Sequence, residues 1–197
     1  MSFFENIVLM KRLLRQGWVR AGIPLGSVES LADHSWATAV LTFVFSVQEN
    51  QLRYSKQSML DVGKGVLIAL FHDFAESEYF DIDKSIENIT DDKKFRTMSK
   101  MLEEGAIHRI LTKFPSSESL EEILRENDSD EYHLVKIADL IDLLYQTYDY
   151  GEKQWLNKKQ LNSFRQHALK QLQKYKDQFL FLDTFLKENS FLVNSLY

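Results

Sequence analysis

DEYHLVKIADLIDLLYQTYDY, residues 130–150, is apolar on most of its sides when wound as a helix. Leu134, Ile137, Leu140, Ile141 and Leu144 spread around the axis rather than along one stripe. A helix of that kind belongs in the middle of a bundle, and Gly151 can close it. Asp139 interrupts it, and an ionisable group at the edge of a core is costly unless paired or ligated. The stretch therefore predicts both a central helix and a polar site upon it.

Outward from this helix the chain reads as helical nearly throughout. Its 197 residues include only 7 glycines and 2 prolines, which favours long helices over short strands and tight turns. From about Phe3 to Gln16, Phe4, Ile7, Val8 and Leu14 recur at helical spacing, with Gly17 as a stop. Ser30 and Asp33 have the spacing of a capping box and open an apolar helix to about Val47. A third helix is expected from about Ser55 to Glu76. A fourth runs from about Phe95 to Leu111, with Phe95, Met98, Met101, Leu102 and Ile110 on one face. The acidic EYFDIDKSIENITDDKK between them is expected to be mainly loop. Pro115 ends helix four ahead of a short charged helix. A last helical region, broken near Tyr175, carries Phe164, Leu169, Leu172, Phe179, Leu182 and Phe185. Nothing divides the chain, so the expectation is one all-α domain over residues 1–197.

The net charge of −5 argues against a nucleic-acid polymer as partner. It leaves a small phosphorylated substrate open, because one metal ion and a few basic residues neutralise a phosphate locally. The chain has no cysteine, so any metal must be held by imidazole and carboxylate. No run is long enough to span a bilayer, and the first apolar stretch precedes Lys11, Arg12 and Arg15, the reverse of a signal peptide. A cytoplasmic protein with no membrane partner is expected.

The informative residues are polar ones that interrupt apolar runs. His72 and Asp73 end GVLIALF, and Glu76 falls on the same side as His72 if the helix continues. His34 starts the apolar run SWATAVLTFVF. Two imidazoles and two carboxylates could form a nitrogen and oxygen site for a divalent transition metal. Spacing alone does not make them converge. Adjacent residues point about 100° apart on an ideal helix, so His72 and Asp73 reach one ion only from a facing edge or a distorted terminus. Asp139 could instead bond Lys136, and His72 could cap its own helix. His108, His133 and His167 lie among charged neighbours and read as solvated. Asp33 is assigned to the capping box, and Asp142 is expected to face away from the site.

The order His34, His72-Asp73, Asp139 resembles the H…HD…D signature of the HD phosphohydrolase superfamily. The contexts GWVRAGIPLGSVESLADHSW, LFHDFAESEYFDI and VKIADLIDLLYQ are similar to its three motif segments, and the likeness is greatest to bacterial 5′-deoxynucleotidases and their HD-domain-containing 2-type relatives. The resemblance covers about Gly17 to Gln146. It implies an HD-domain helical bundle with its motif-bearing core at about 17–150 and helices of 151–197 packed on it. It further implies one divalent metal ion held by His34, His72, Asp73 and Asp139, with manganese, cobalt, zinc or iron favoured over magnesium. Glu76 and Asp81 would be the catalytic acids, and Trp18 and Arg20 would line the substrate pocket. The implied reaction is hydrolysis of a (deoxy)nucleoside 5′-monophosphate by a homodimer. A triphosphate, cyclic nucleotide or alarmone substrate, or a non-catalytic nucleotide-binding module, are the alternatives. Glutamate in HDFAE, where a dinuclear enzyme would carry a lysine, implies a mononuclear centre.

Overall fold

In the computed structural model, which describes residues 2–53, 58–79, 92–113 and 118–194, the elements are helices. They are α1 (Phe3–Met10), α2 (Gln16–Ala21), α3 (Leu31–Arg53), α4 (Val62–Phe71), α5 (Glu76–Tyr79), α6 (Asp92–Leu111), α7 (Glu118–Arg125), α8 (Asp130–Glu152), α9 (Lys158–Leu172), α10 (Leu182–Glu188) and α11 (Ser190–Val193). Among the described residues the extended pairing is confined to one bridge, Leu14 with Ser30, so the expected all-α class holds.

The stretch at 130–150 is the central helix. Ser129 caps α8, and Leu134, Val135, Ile137, Ala138, Ile141 and Leu144 are all fully buried. Helices α3, α4 and α9 pack around it. Each Leu or Ile buried in this way contributes about 1.5–3 kcal/mol. Phe179, Phe181, Leu182 and Leu192 close the same core from the C-terminal side, where Phe181 stacks on Phe45. The break expected near Tyr175 falls at a 3₁₀ turn, Gln173–Tyr175.

Gly65 sets the distance between α3 and α4, since a Cβ there would lie 3.2 Å from Thr42 Cγ2. From this close approach His34 lies eight residues back along α3, and His72 lies seven residues onward along α4. Both intervals are about two helical turns. The two imidazoles thus arrive together, their ring centroids 5.2 Å apart.

Three expectations need correction. The first helix stops at Met10 rather than Gln16, because Leu13 and Arg15 leave the helix to bond Leu31 and Glu29. Its inward face holds Asn6, which donates to Ser77 Oγ at 2.8 Å, and Met10, while Phe4, Ile7 and Val8 are exposed. The third helix is shorter than expected. Asp61 caps its start by accepting from Lys64 N–H, and it ends at Phe71. Helix α6 matches its expected span, but Met98, Met101 and Leu102 face outward and Ala106, Ile110 and Leu111 inward. Most of the expected acidic loop lies outside the described residues. No helix among the described residues is long and apolar enough to cross a membrane.

Candidate metal centre

Three helices deliver the side chains. The capping box forms as expected: Asp33 N–H donates to Ser30 Oγ at 3.1 Å, and Ser30 N–H donates to Asp33 Oδ2 at 2.9 Å. It fixes the first turn of α3 and places His34 inward, fully buried. Helix α4 gives way after Phe71 to tight turns, with Phe74 N–H bonded to Phe71 O and Glu76 N–H to Asp73 O. This is the distorted terminus that adjacent His72 and Asp73 require to face one point. Asp139 comes from the middle of α8.

His34 Nε2 lies 3.2 Å from Asp139 Oδ1, 3.5 Å from Asp73 Oδ2 and 3.2 Å from His72 Nε2. His72 Nε2 is itself 3.4 Å from Asp73 Oδ2. The opposite ring nitrogens have other partners. His72 Nδ1 is 2.7 Å from Ala69 O, a carbonyl that can only accept, so Nδ1 carries the proton and donates. His34 Nδ1 lies 2.7 Å from Asp142 Oδ2 and donates to that carboxylate. With the Nδ1 protons committed outward, two Nε2 lone pairs and two carboxylates face one another across about 3 Å. Acceptors crowded in this way need a cation or a shared proton between them. Ligand atoms of His34, His72 and Asp139 all fall within 4.8 Å of one another, so these residues could hold a metal ion. Glu29, His34 and Asp142 form a second such group, but Asp142 already bonds the Nδ1 side of His34 and so orients the ring.

The charges agree with this arrangement. Burial and Arg15 oppose a proton on His34, yet bonds to Asp139 and Asp142 raise its pKa to about 10. In the absence of another cation the cluster therefore takes a proton. Burial lowers the pKa of His72. Burial works against an ionised Asp73, but His72, Arg15 and His34 outweigh it and hold that carboxyl at about 2. Asp139 is held well below its ordinary value, because His34, His72 and Lys136 overcome the same burial.

A cavity of about 420 Å³ opens beside the cluster, lined by His72, Asp73, Glu76, Tyr79, Tyr132 and Lys136 among others. Residues 2–189 match the YfbR-like family, described as 5′-deoxynucleotidase YfbR-like. The chain belongs to the YfbR-like 5′-deoxynucleotidase family. It is 31% identical over 172 residues to the Dictyostelium discoideum 5′-deoxynucleotidase HDDC2, covering 83% of this chain and 85% of that protein. It is 30% identical over 169 residues to the Saccharomyces cerevisiae 5′-deoxynucleotidase YGK1, covering 83% and 72%. The fold is similar to that of a conserved hypothetical protein from Pyrococcus furiosus, with a TM-score of 0.70, 28% identity and coverage of 94% and 97%.

The structure thus brings together five of the residues singled out in the sequence of this YfbR-like protein: His34, His72, Asp73, Asp139 and Glu76. Asp81 lies outside the described residues. Trp18 is buried in a separate apolar cluster against Tyr150 and Phe164, and its indole N–H donates to Glu29 Oε1 at 2.7 Å. Arg20 stands exposed in the last turn of α2 and does not line the cavity. Arg15, five residues earlier in the chain, reaches the centre instead: Nη1 donates to Asp73 Oδ2 at 2.8 Å, and Nε lies 3.9 Å from Glu29. Asp142 corrects the expectation that it faces away. It lies three residues after Asp139 on α8, a spacing that puts both carboxylates on one face, and that signal was in the sequence.

Proposed function

We propose that this chain is a metal-dependent phosphoric monoester hydrolase that converts deoxynucleoside 5′-monophosphates to nucleoside and phosphate. The observation that carries this reading is the convergence of His72, Asp73 and Asp139 on His34 Nε2, at 3.2–3.5 Å, beside a cavity that His72 and Asp73 line. Membership of the YfbR-like family and two relatives named 5′-deoxynucleotidase support the reaction class. We assign the family to the HD superfamily on the same four residues, which would hold one divalent ion. The mixed nitrogen and oxygen donors favour manganese, cobalt, zinc or iron over magnesium. Such an ion supplies positive charge to the phosphate and makes a water easier to deprotonate.

The chain's own residues do the rest. Asp142 and the Ala69 carbonyl fix both imidazole tautomers, so the Nε2 lone pairs point inward. Arg15 holds Asp73 by donating to the oxygen that also neighbours both histidines, and its guanidinium is suited to a phosphate oxygen. Glu76, on the cavity wall after the α4 terminus, is placed to take a proton from water or to give one to the leaving oxygen. Asp81 would be the second acid. Trp18 acts through Glu29, by steadying the carboxylate that neighbours Arg15.

We take residues 1–197 as one domain, since α9 and α11 pack on α8, and we place the protein in the cytoplasm with its nucleotide substrate. Trp36, Val40, Phe43, Val44 and Val47 form an exposed apolar stripe on α3, which is the proposed homodimer face. Phe43→Glu is expected to convert a dimer to a monomer in light scattering. The catalytic reading is tested by phosphate release from a panel of nucleotides with metal-loaded protein. Release of phosphate from a deoxynucleoside monophosphate supports it, and no release from any monophosphate overturns it. Pyrophosphate or triphosphate as product would redirect it to a triphosphate substrate.

A further inference from the structure

Three of the side chains that line the cavity are cations: Lys100, Arg125 and Lys136. Two are already paired. Lys100 Nζ lies 3.8 Å from Glu104, and Arg125 bonds Glu121. Lys136 has no carboxylate within ion-pair distance among the described residues; its ammonium stands 5.4 Å above the centroid of the Tyr132 ring. A cation over an aromatic face satisfies one side of the ammonium and leaves its N–H donors aimed away from the ring.

The position on α8 tells where those donors point. Lys136 lies three residues before Asp139, on the same helix face, and helical side chains lean toward the N-terminus. The ammonium therefore sits one turn from the acceptor cluster, toward Tyr132, on the wall of the same cavity. A phosphate drawn to a cation held by His34, His72, Asp73 and Asp139 would lie in the cavity that this lysine lines.

We propose that Lys136 is a catalytic residue whose ammonium binds a non-bridging phosphate oxygen of the substrate and neutralises charge on it during ester cleavage. The proposal rests on the phosphomonoesterase reading above. In that reaction the oxygen of water bonds to phosphorus and the bond from phosphorus to the 5′ oxygen breaks. The water gives up a proton and the leaving oxygen gains one, while Lys136 keeps its own throughout. A permanently charged lysine suits this role. Burial opposes its charge, but Asp139, Tyr132, Asp73 and Glu103 outweigh burial and hold it above the ordinary lysine range.

The test compares wild type, Lys136→Met and Lys136→Arg, each loaded with manganese and checked for metal content and thermal unfolding. Two quantities are read: kcat/KM for a deoxynucleoside 5′-monophosphate, and affinity for inorganic phosphate by calorimetric titration. Lys136→Met is expected to keep its metal and fold, lose about 10- to 100-fold in kcat/KM, and bind phosphate about tenfold more weakly. Lys136→Arg should recover part of both. Unchanged kcat/KM and phosphate affinity in Lys136→Met overturn the proposal. So does a loss that disappears when the variant is saturated with metal, which would make Lys136 a charge-balancing neighbour of the ligands. If the wild type hydrolyses no monophosphate, the reaction assignment fails, and the phosphate titration alone decides whether Lys136 binds the anion.

Discussion

Helix α3 carries a buried charged cluster at each of its ends, and the two are built on opposite plans. At the C-terminal end Arg53, 2% exposed, donates from Nε to Glu49 Oε1 at 3.0 Å and from Nη1 to Asp130 Oδ2 at 2.6 Å. Its Nη1 also reaches Ser58 O at 3.1 Å, and its guanidinium lies over Phe179. The second oxygen of Glu49 accepts from Phe181 N–H, and that of Asp130 accepts from Gln178. The chain supplies its own cation there, and its acceptors are used. At the N-terminal end His34 faces His72, Asp73 and Asp139, a set of inward atoms that could hold a cation. Burial and charge are common to both clusters. What separates them is closure: the Arg53 cluster is complete within the chain and ties α3 to α8 and the C-terminal segment, whereas the His34 cluster could hold a metal ion and adjoins a cavity lined by His72 and Asp73.

Breaking each cluster should therefore have a different consequence. Asp139→Asn removes a ligand from the open cluster, and its expected cost is several kcal/mol of catalysis, about a thousandfold or more in kcat/KM. Metal content by elemental analysis should fall with it while the urea-unfolding midpoint of the metal-free protein changes little. Arg53→Met breaks the closed cluster and leaves Glu49 buried without its cation. Urea unfolding should show a loss of about 3–5 kcal/mol, while kcat/KM and metal content of the folded protein stay at the wild-type level. Asp142→Asn leaves every ligand in place but weakens the hold on the His34 tautomer. It should lower metal affinity by about 10- to 100-fold in a competition titration with a chelator.

The smallest effect is a pH dependence confined to the closed cluster. Burial raises the Asp130 carboxyl, but Arg53 and Gln178 outweigh it and hold its pKa below the ordinary 3.8. A carboxyl lowered in the folded state stabilises fully above the unfolded value and loses that contribution as pH falls through the folded one. The stability gap between wild type and Arg53→Met should therefore be widest above pH 3.8 and narrow in more acid solution. Thermal melts of both proteins from neutral to acid pH check this.

How far the sequence could be read follows from the same physics. The central helix was legible because apolar residues on all sides leave a helix no surface to occupy but the core, and Asp139 stood out against them. His72 and Asp73 stood out too, but their convergence depended on where α4 ends, and helix termini are set by turns that periodicity does not encode. The first helix misled because Phe4, Ile7, Val8 and Leu14 have a helical rhythm, yet the inward face is decided by a tertiary bond from Asn6 to Ser77. Arg15 was hidden for a related reason: it lies beyond the end of α1, in the segment that pairs with Glu29 and so swings toward Asp73. Asp142 was within reach, since its three-residue spacing from Asp139 shares a helix face. Within the Arg53 cluster the Glu49 pair has a local four-residue spacing, whereas Asp130 and Phe181 come from far along the chain and no local pattern announces them.

The central claim is that the cluster of His34, His72, Asp73 and Asp139 is incomplete without a divalent cation and is catalytic with one. Its most direct test is a manganese titration of chelator-stripped protein, following bound metal and phosphate release from a deoxynucleoside 5′-monophosphate in the same samples. One ion per chain is expected, with activity rising in proportion to it and the loss of both in Asp139→Asn. Full activity in the stripped protein, or equal binding and activity in Asp139→Asn, would contradict it.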